Sequence, residues 1–269
     1  MRYAMMFVAF LLSSCTAKIN HPKQAEKWEQ ECYQAGPTGL EYCINKTGGK
    51  IPLLIVNLHG LADGVKSPKS SVYPTEEIAD LINQTGASHM INLSYGKAWM
   101  LRPEGAALES VTEWETNLLK LQKEYKLPEK MVAMGMSMGG HNLATICAVK
   151  PDLFKGCVLL NPMILRADQW KEKFEVKDAK DAALMAGKHF TEEEWKRFNP
   201  LALLTATAKV GNFFVTACRQ DDFKLFEATE AWAKAGIAQG KSIVFKANDC
   251  DHFTPNIEGA AAFIQERTK

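Results

Sequence analysis

The sequence has almost no net charge: 32 lysines and arginines face 31 aspartates and glutamates, for a formal net charge of +1. No arginine-rich stripe or long block of one sign interrupts that balance. A nucleic-acid ligand needs a basic face to neutralise its phosphates, so nucleic acid is excluded as an expected partner. Internal repeats and low-complexity linkers are missing too. Metal-ligand spacing is absent around His59 and Asp63, which have no matching set of further ligands, so no metal is expected. What is present is an ordinary globular composition, 46% hydrophobic and 23% charged over 269 residues, long enough to bury one large core.

The N-terminus stands apart from that globule. Met1-Arg2-Tyr3 gives a weakly positive start, and the apolar run from Ala4 to Leu12 is about half the ~20 residues that cross a bilayer. It reads as the core of a signal peptide. Leu12-Ser13-Ser14-Cys15 follows directly and resembles the lipobox of bacterial lipoproteins. The resemblance implies a signal peptide over 1–14, cleavage before Cys15, lipid modification of that cysteine, and an exported protein held at the cell envelope, in the periplasm or at the outer membrane. Several acyl chains on one residue anchor stably where one chain alone is marginal. The membrane is then a partner only through this anchor. Thr16 lacks the aspartate associated with inner-membrane retention. The alternative is an ordinary secretory signal cut near Ala17, with Cys15 incidental.

Cysteine usage fits export into an oxidising space. Seven cysteines less Cys15 leave an even number, at positions 32, 43, 147, 157, 218 and 250. Cys32 and Cys43 flank the turn Gly36-Pro37-Thr38-Gly39 and are the first pair expected to bridge. Cys147 falls in a helix and Cys157 opens the next strand, so a short connection can join them. Cys218 and Cys250 fall near the ends of two late strands, each just upstream of a candidate catalytic residue. The alternative is that some are buried free thiols.

Along the chain, apolar strands alternate with helices. After an N-terminal segment over 15–39, Leu40 to Ile44 and Ile51 to Leu58 flank Lys46-Thr47-Gly48-Gly49-Lys50 and read as a hairpin. A helix is expected over Pro74 to Gln84 and a short strand over His89 to Leu93. A long helix is expected over Gly105 to Tyr125, with Val111, Leu118, Leu119 and Leu121 toward the core. Strands follow over Met131 to Met136 and Cys157 to Leu160, with helix Asn142 to Val149 between them. Phe213 to Ala217 and Ile243 to Lys246 read as strands separated by a helix over Leu225 to Ala238, and a last helix begins near Asn256. Near-continuous apolar strands alternating with helices imply an α/β fold whose mostly parallel sheet has helices on both faces. One charged and aromatic stretch breaks the alternation, about 163–200, with Trp170, Phe174, Phe190 and Trp195 on helix-like segments. An insertion there is a small helical cap over a pocket, or a surface helical pair packed on the sheet.

The chemistry concentrates at Gly135-Met136-Ser137-Met138-Gly139, between an apolar strand and a helix start. A serine on a tight strand-to-helix turn is lifted above the sheet edge, and the flanking glycines remove Cβ atoms that would clash as the backbone closes. A serine hydroxyl alone is a weak nucleophile, so this turn demands a base and an acid later in the chain. They are present in the required order. His252 follows the last strand in Asp249-Cys250-Asp251-His252-Phe253, and Asp221 and Asp222 follow the strand at Phe213. Asp221, three residues after Cys218, is the favoured acid and Asp222 the alternative. The developing oxyanion needs two donors, for which the backbone N–H groups of Leu61 and Met138 are best placed. Leu61 follows the apolar run Leu53 to Leu58 and His59-Gly60, where His59 organises the loop and is not the base.

Over roughly residues 40 to 269 the chain resembles the α/β-hydrolase family. The matching residues are Leu58-His59-Gly60-Leu61-Ala62-Asp63-Gly64, Gly135-Met136-Ser137-Met138-Gly139-Gly140, Asp221 or Asp222, and His252. The resemblance implies an α/β-hydrolase domain over 40–269 that hydrolyses an ester or thioester, of a small molecule or a polymer, through an acyl-serine intermediate without metal or organic cofactor. Cys218 stands where glycine is usual, and the N-terminal part of the sheet reads as abbreviated. Two other readings stay open: a peptidase or acyltransferase on the same fold, and a non-catalytic envelope binding protein that kept it.

Overall fold

Strands with apolar residues on both faces can be accommodated only where both faces of a sheet are covered, and the central strand here is of that kind, with residues 53–58 all buried and Asn57 their one polar member. The computed structural model describes residues 29–35, 40–58, 60, 76–93, 106–164, 200–252, 255 and 257–269. Their strands are β1 (Glu29–Ala35), β2 (Leu40–Lys46), β3 (Ile51–Leu58), β4 (Ala87–Leu93), β5 (Met131–Met136), β6 (Cys157–Leu160), β7 (Phe213–Cys218) and β8 (Ile243–Asn248). They form one eight-stranded sheet in the order β1-β2-β4-β3-β5-β6-β7-β8. The β1–β2 and β2–β4 pairs are antiparallel, and every pair from β4 to β8 is parallel.

The period of two along each strand divides the core into halves. Leu54, Val56 and Leu58 of β3 pack with Ala133, Leu159, Phe213 and Val215 on one face. Helices α2 (Ala106–Glu124), α3 (Met138–Val149), α4 (Pro200–Ala206) and α5 (Phe226–Ala238) cover that face. Leu53 and Ile55 point the other way with Val132, Met134, Val158 and Phe214, under α1 (Glu76–Thr85) and α6 (Ala260–Thr268). Helix α3, between β5 and β6, is buried from Met138 to Ala148, which accounts for its apolar character all round. Among the described residues, no helix is long and apolar enough to cross a membrane.

Several expectations are corrected. The hairpin expected between β2 and β3 does not form, because β4 lies between them. Thr47 N–H at the end of β2 donates to Ser88 O (3.1 Å), and Ile51 N–H at the start of β3 donates to Gly86 O (2.9 Å). A Cβ at Gly49 would run into the carbonyls of Gly86 and Ala87, so the glycine lets the connection pass close over the start of β4. The antiparallel neighbours of β2 are instead β4 on one side and, on the other, β1, a polar strand whose register sets Cys32 opposite Cys43. Among the described residues the sheet therefore begins with β1, ahead of Leu40, and its N-terminal part is not abbreviated. Leu119 of α2 faces solvent at 41% exposure. The buried stripe is Val111, Trp114, Leu118 and Leu121, spaced by three and four as one helix face requires. The last helix starts at Ala260, after Gly259 at φ 85°, and not near Asn256, which lies outside the described residues.

Candidate active site

Ser137 joins β5 to α3 with φ 53° and ψ −118°, a conformation that side-chain-bearing residues rarely adopt. Sequence and packing together explain why the chain accepts it. A Cβ at Gly135 would sit 2.5 Å from Gly139 O and one at Gly140 2.6 Å from Pro162 Cβ, so both glycines are required for the turn to close beneath the serine. The backbone of Ser137 itself is engaged on both sides: its N–H donates to Leu160 O (3.1 Å), while its O accepts from His141 N–H (3.1 Å) and Met163 N–H (2.7 Å). The Ser137 side chain makes no capping bond to α3, and that helix has no acidic residue in its first turn. Its positive end is left for an anion.

Beside this turn the chain leaving β3 comes close. A Cβ on Gly60 would meet Ser137 Cβ at 3.6 Å and Met136 O at 3.5 Å, so Gly60, two residues past β3, lies against the serine turn. His59, Leu61 and Asp63 lie outside the described residues, as do Cys15 and the aromatics of the insertion, Trp170, Phe174, Phe190 and Trp195. The insertion is described only at its ends, through Met163 and Ile164 and from Pro200, where α4 begins.

The structure brings Asp221 and His252 together. Asp221 follows β7 and is buried, with its Oδ1 accepting from Phe223 N–H (2.7 Å) and its Oδ2 lying 3.1 Å from His252 Nδ1. Asp222, one residue on, is exposed and has no part in that contact. The Phe223 ring lies 4.6 Å from the His252 ring, centroid to centroid. Cys218 and Cys250 form a disulfide, so the loops carrying the acid and the histidine are joined covalently a few residues upstream of each. Gln220 N–H donates to Cys250 O (3.2 Å), and Arg219 pairs with Asp249 at 3.1 Å on the surface.

A second disulfide, Cys147–Cys157, ties the end of α3 to the start of β6, and Cys43 is also disulfide-bonded. His141, one turn into α3, is buried with Nδ1 3.3 Å from Met163 O, and burial pushes its pKa down to about 4. It is a neutral imidazole beneath the serine turn. No group of three or more His, Cys, Asp or Glu among the described residues is arranged to hold a metal ion. Sequence reasoning does not single out Asn161 or Phe223. An asparagine that ends an apolar strand and precedes proline was the available signal for the first, since Asn tolerates left-handed backbone.

A mostly parallel eight-stranded sheet covered on both faces, with a serine at the strand-to-helix turn after β5 and a buried Asp–His pair after β7 and β8, defines a hydrolase of the α/β-hydrolase fold. A model of the prolyl oligopeptidase family matches residues 88–255, more than half of the chain. The chain belongs to the prolyl oligopeptidase family. No curated protein sequence matches it. Solved structures that it resembles include an arylesterase (TM-score 0.66, 15% identity, covering 98% of this chain and 93% of that one). An esterase of the fungus Rhizomucor miehei is similar at TM-score 0.65 and 16% identity, over 96% of this chain and 88% of that one. The HSL homologue EstE7, from a metagenome library, follows at 0.64 and 17%, over 97% and 92%. At these identities the likeness is one of fold.

Proposed function

We propose that this protein is a serine hydrolase that cleaves a carboxylic ester or thioester through an acyl-serine intermediate. The observation that carries the reading is the buried contact between His252 Nδ1 and Asp221 Oδ2, in the segments that follow β8 and β7, together with a serine at the strand-to-helix turn after β5. Ser137 Oγ attacks the acyl carbonyl while His252 Nε2 takes its proton, and Asp221 holds the ring in the tautomer that leaves Nε2 free and stabilises the imidazolium. The carbonyl oxygen, now negative, accepts hydrogen bonds from the N–H groups of Leu61 and Met138, the latter at the unopposed positive end of α3. Collapse of the tetrahedral species expels the alcohol or thiol, which takes the proton from His252. Water deprotonated by the same ring then attacks the acyl-serine and releases the acid, restoring Ser137 Oγ–H.

Ser137→Ala is expected to lower p-nitrophenyl acetate and butyrate hydrolysis by about 10⁴-fold or more. A fluorophosphonate probe should label the wild-type protein at Ser137 and leave the variant unlabelled. Hydrolysis that survives the substitution would remove the reading. The family match favours a second reading, an amide-cleaving peptidase, since the same triad serves both leaving groups. Comparing p-nitrophenyl esters with aminoacyl p-nitroanilides separates the two by which panel has the higher kcat/KM. Failure of both panels and of the probe would leave a binding protein. We further propose export and lipid anchoring through Cys15, supported by the disulfides of the domain, which persist in oxidising compartments. Incorporation of labelled palmitate that Cys15→Ser does not abolish would overturn the anchor.

A further inference from the structure

We infer that Asn161 is a positioning residue for His252, and that the short segment from Asn161 to Met163 sets the distance between the nucleophile and its base. The inference rests on the serine-hydrolase reading above. Asn161 directly follows β6 and is 2% exposed. Its side-chain Nδ2 donates to the carbonyls of both His252 (3.0 Å) and Asp251 (3.1 Å), across a separation of about ninety residues. Those are the backbone atoms that carry the imidazole. Two residues on, Met163 N–H donates to Ser137 O at 2.7 Å, and Pro162 between them lies where a Cβ on Gly140 would collide. One tripeptide thus grips the histidine loop with its first residue and the serine turn with its last.

Local costs make the arrangement informative. Asn161 has φ 41°, a left-handed backbone that costs free energy for any residue with a Cβ. Its Oδ1 is buried and has no hydrogen-bond partner among the described residues, which is a further cost. Asparagine is suited to the task because it tolerates that backbone and presents two N–H groups from one nitrogen, one for each carbonyl. Its main-chain N–H is spent on Thr216 O (3.0 Å), which holds the residue at the end of the β6–β7 ladder. The grip therefore originates from the rigid sheet and reaches out to a loop beside the sheet's edge strand. A shift of about 1 Å in a catalytic group can lower turnover by as much as ~10²-fold, so the loss of this grip should show in the chemical step.

The test is a double-mutant cycle on p-nitrophenyl butyrate. Asn161→Asp keeps the shape and the backbone tolerance but turns the donor into an acceptor facing two carbonyls, and Asn161→Gly keeps the backbone and removes the side chain. Each should lower kcat by about 10- to 100-fold with KM little changed, Asp more than Gly. In a His252→Ala background, neither should lower the residual rate further, because Asn161 acts only through the histidine. Wild-type kcat in Asn161→Asp would overturn the proposal, and so would an equal loss with and without His252, which is the mark of a general structural role. If neither variant folds, slow solvent exchange of the Asn161 side-chain amide protons in the wild-type protein supports the clamp and fast exchange overturns it. A Ser137→Ala protein run alongside separates the levels. If it is inactive while Asn161→Asp is normal, the clamp alone fails; if it is active, the hydrolase reading fails and takes the clamp with it.

Discussion

Ser137 stands at the end of β5, inside the sheet, whereas Asp221 and His252 follow β7 and β8 at the sheet's far edge. The two halves are held in different ways. Around the serine, neighbouring strands and a helix buried along nearly all its length surround the turn, and its geometry follows from residues within a few positions of Ser137. Around the histidine, β8 alternates between partly buried and exposed positions, with Val244 40% exposed, so packing alone holds that region less firmly. Long-range tethers take over there: the Asp221 contact, the Cys218–Cys250 disulfide and the Asn161 amide. A serine turn can be built by local sequence, but a histidine brought in from another strand must be tied in place.

The comparison breaks most visibly at the tether nearest the chemistry. Asp221→Asn keeps the size of the side chain but removes the charge that selects the productive tautomer, and should lower kcat by about 10⁴-fold. Asp222→Asn, at an exposed position, should leave turnover near the wild-type value. Both are read by steady-state ester hydrolysis. If Asp222→Asn carried the loss instead, the Asp221–His252 contact would not be the catalytic one.

The two described disulfides sharpen the contrast at the next level of magnitude. Cys218–Cys250 closes a separation of 32 residues and Cys147–Cys157 one of 10, so their removal should cost about 3–4 and about 3 kcal/mol respectively. Stability therefore hardly distinguishes them, but activity should. Cys147 and Cys157 lie at the ends of α3 and β6 away from Ser137, and the double serine variant should keep its kcat below its melting temperature. Cys218→Ser with Cys250→Ser frees the acid and histidine loops from each other and should lower kcat while the protein is still folded. Circular dichroism melts and ester kinetics on both variants check this, and equal kcat in the two would remove the tether argument.

The same division explains what could be read from the residues alone. The alternation of strands and helices, the serine turn and the order Ser137, Asp221, His252 are carried by short-range signals: apolar runs, glycines at fixed offsets and strand-end polar residues. Strand order is not. Nothing local in Leu40 to Lys46 distinguishes pairing with β3 from pairing with β4, since the register is made by Cys43↔Asn92 and its neighbours across the sheet. β1 is illegible in the sequence because Glu29–Ala35 is polar and shows no apolar pattern. Leu119 reads as core only because it is adjacent to Leu118, whereas a helix turns its next residue away from the stripe. Asn161 was legible only as part of an Asn-Pro turn. Its partners are carbonyls, which carry no side-chain signature.

The serine half has one weakness of its own, and it sets the smallest of these effects. His141 is buried within α3, and burial lowers its pKa from 6.5 to about 4, with the Met163 carbonyl opposing the shift. In the unfolded chain the same imidazole binds a proton near pH 6.5, so between those values the unfolded state holds more protons than the folded one. Stability from this group is complete above pH 6.5 and is lost as the pH falls toward 4, amounting to about 2 kcal/mol between pH 7 and pH 5. His89 on β4 is shifted in the same direction, by burial and then by the charge of Lys46, so the wild-type slope alone does not isolate His141. Subtraction does. Urea midpoints of the wild type and of His141→Gln, which cannot take the proton, should converge as the pH is lowered from 7 to 5. Parallel slopes would mean that the imidazole beneath Ser137 is not held neutral, and that acid weakens the serine half no more through this residue than through the surface around it.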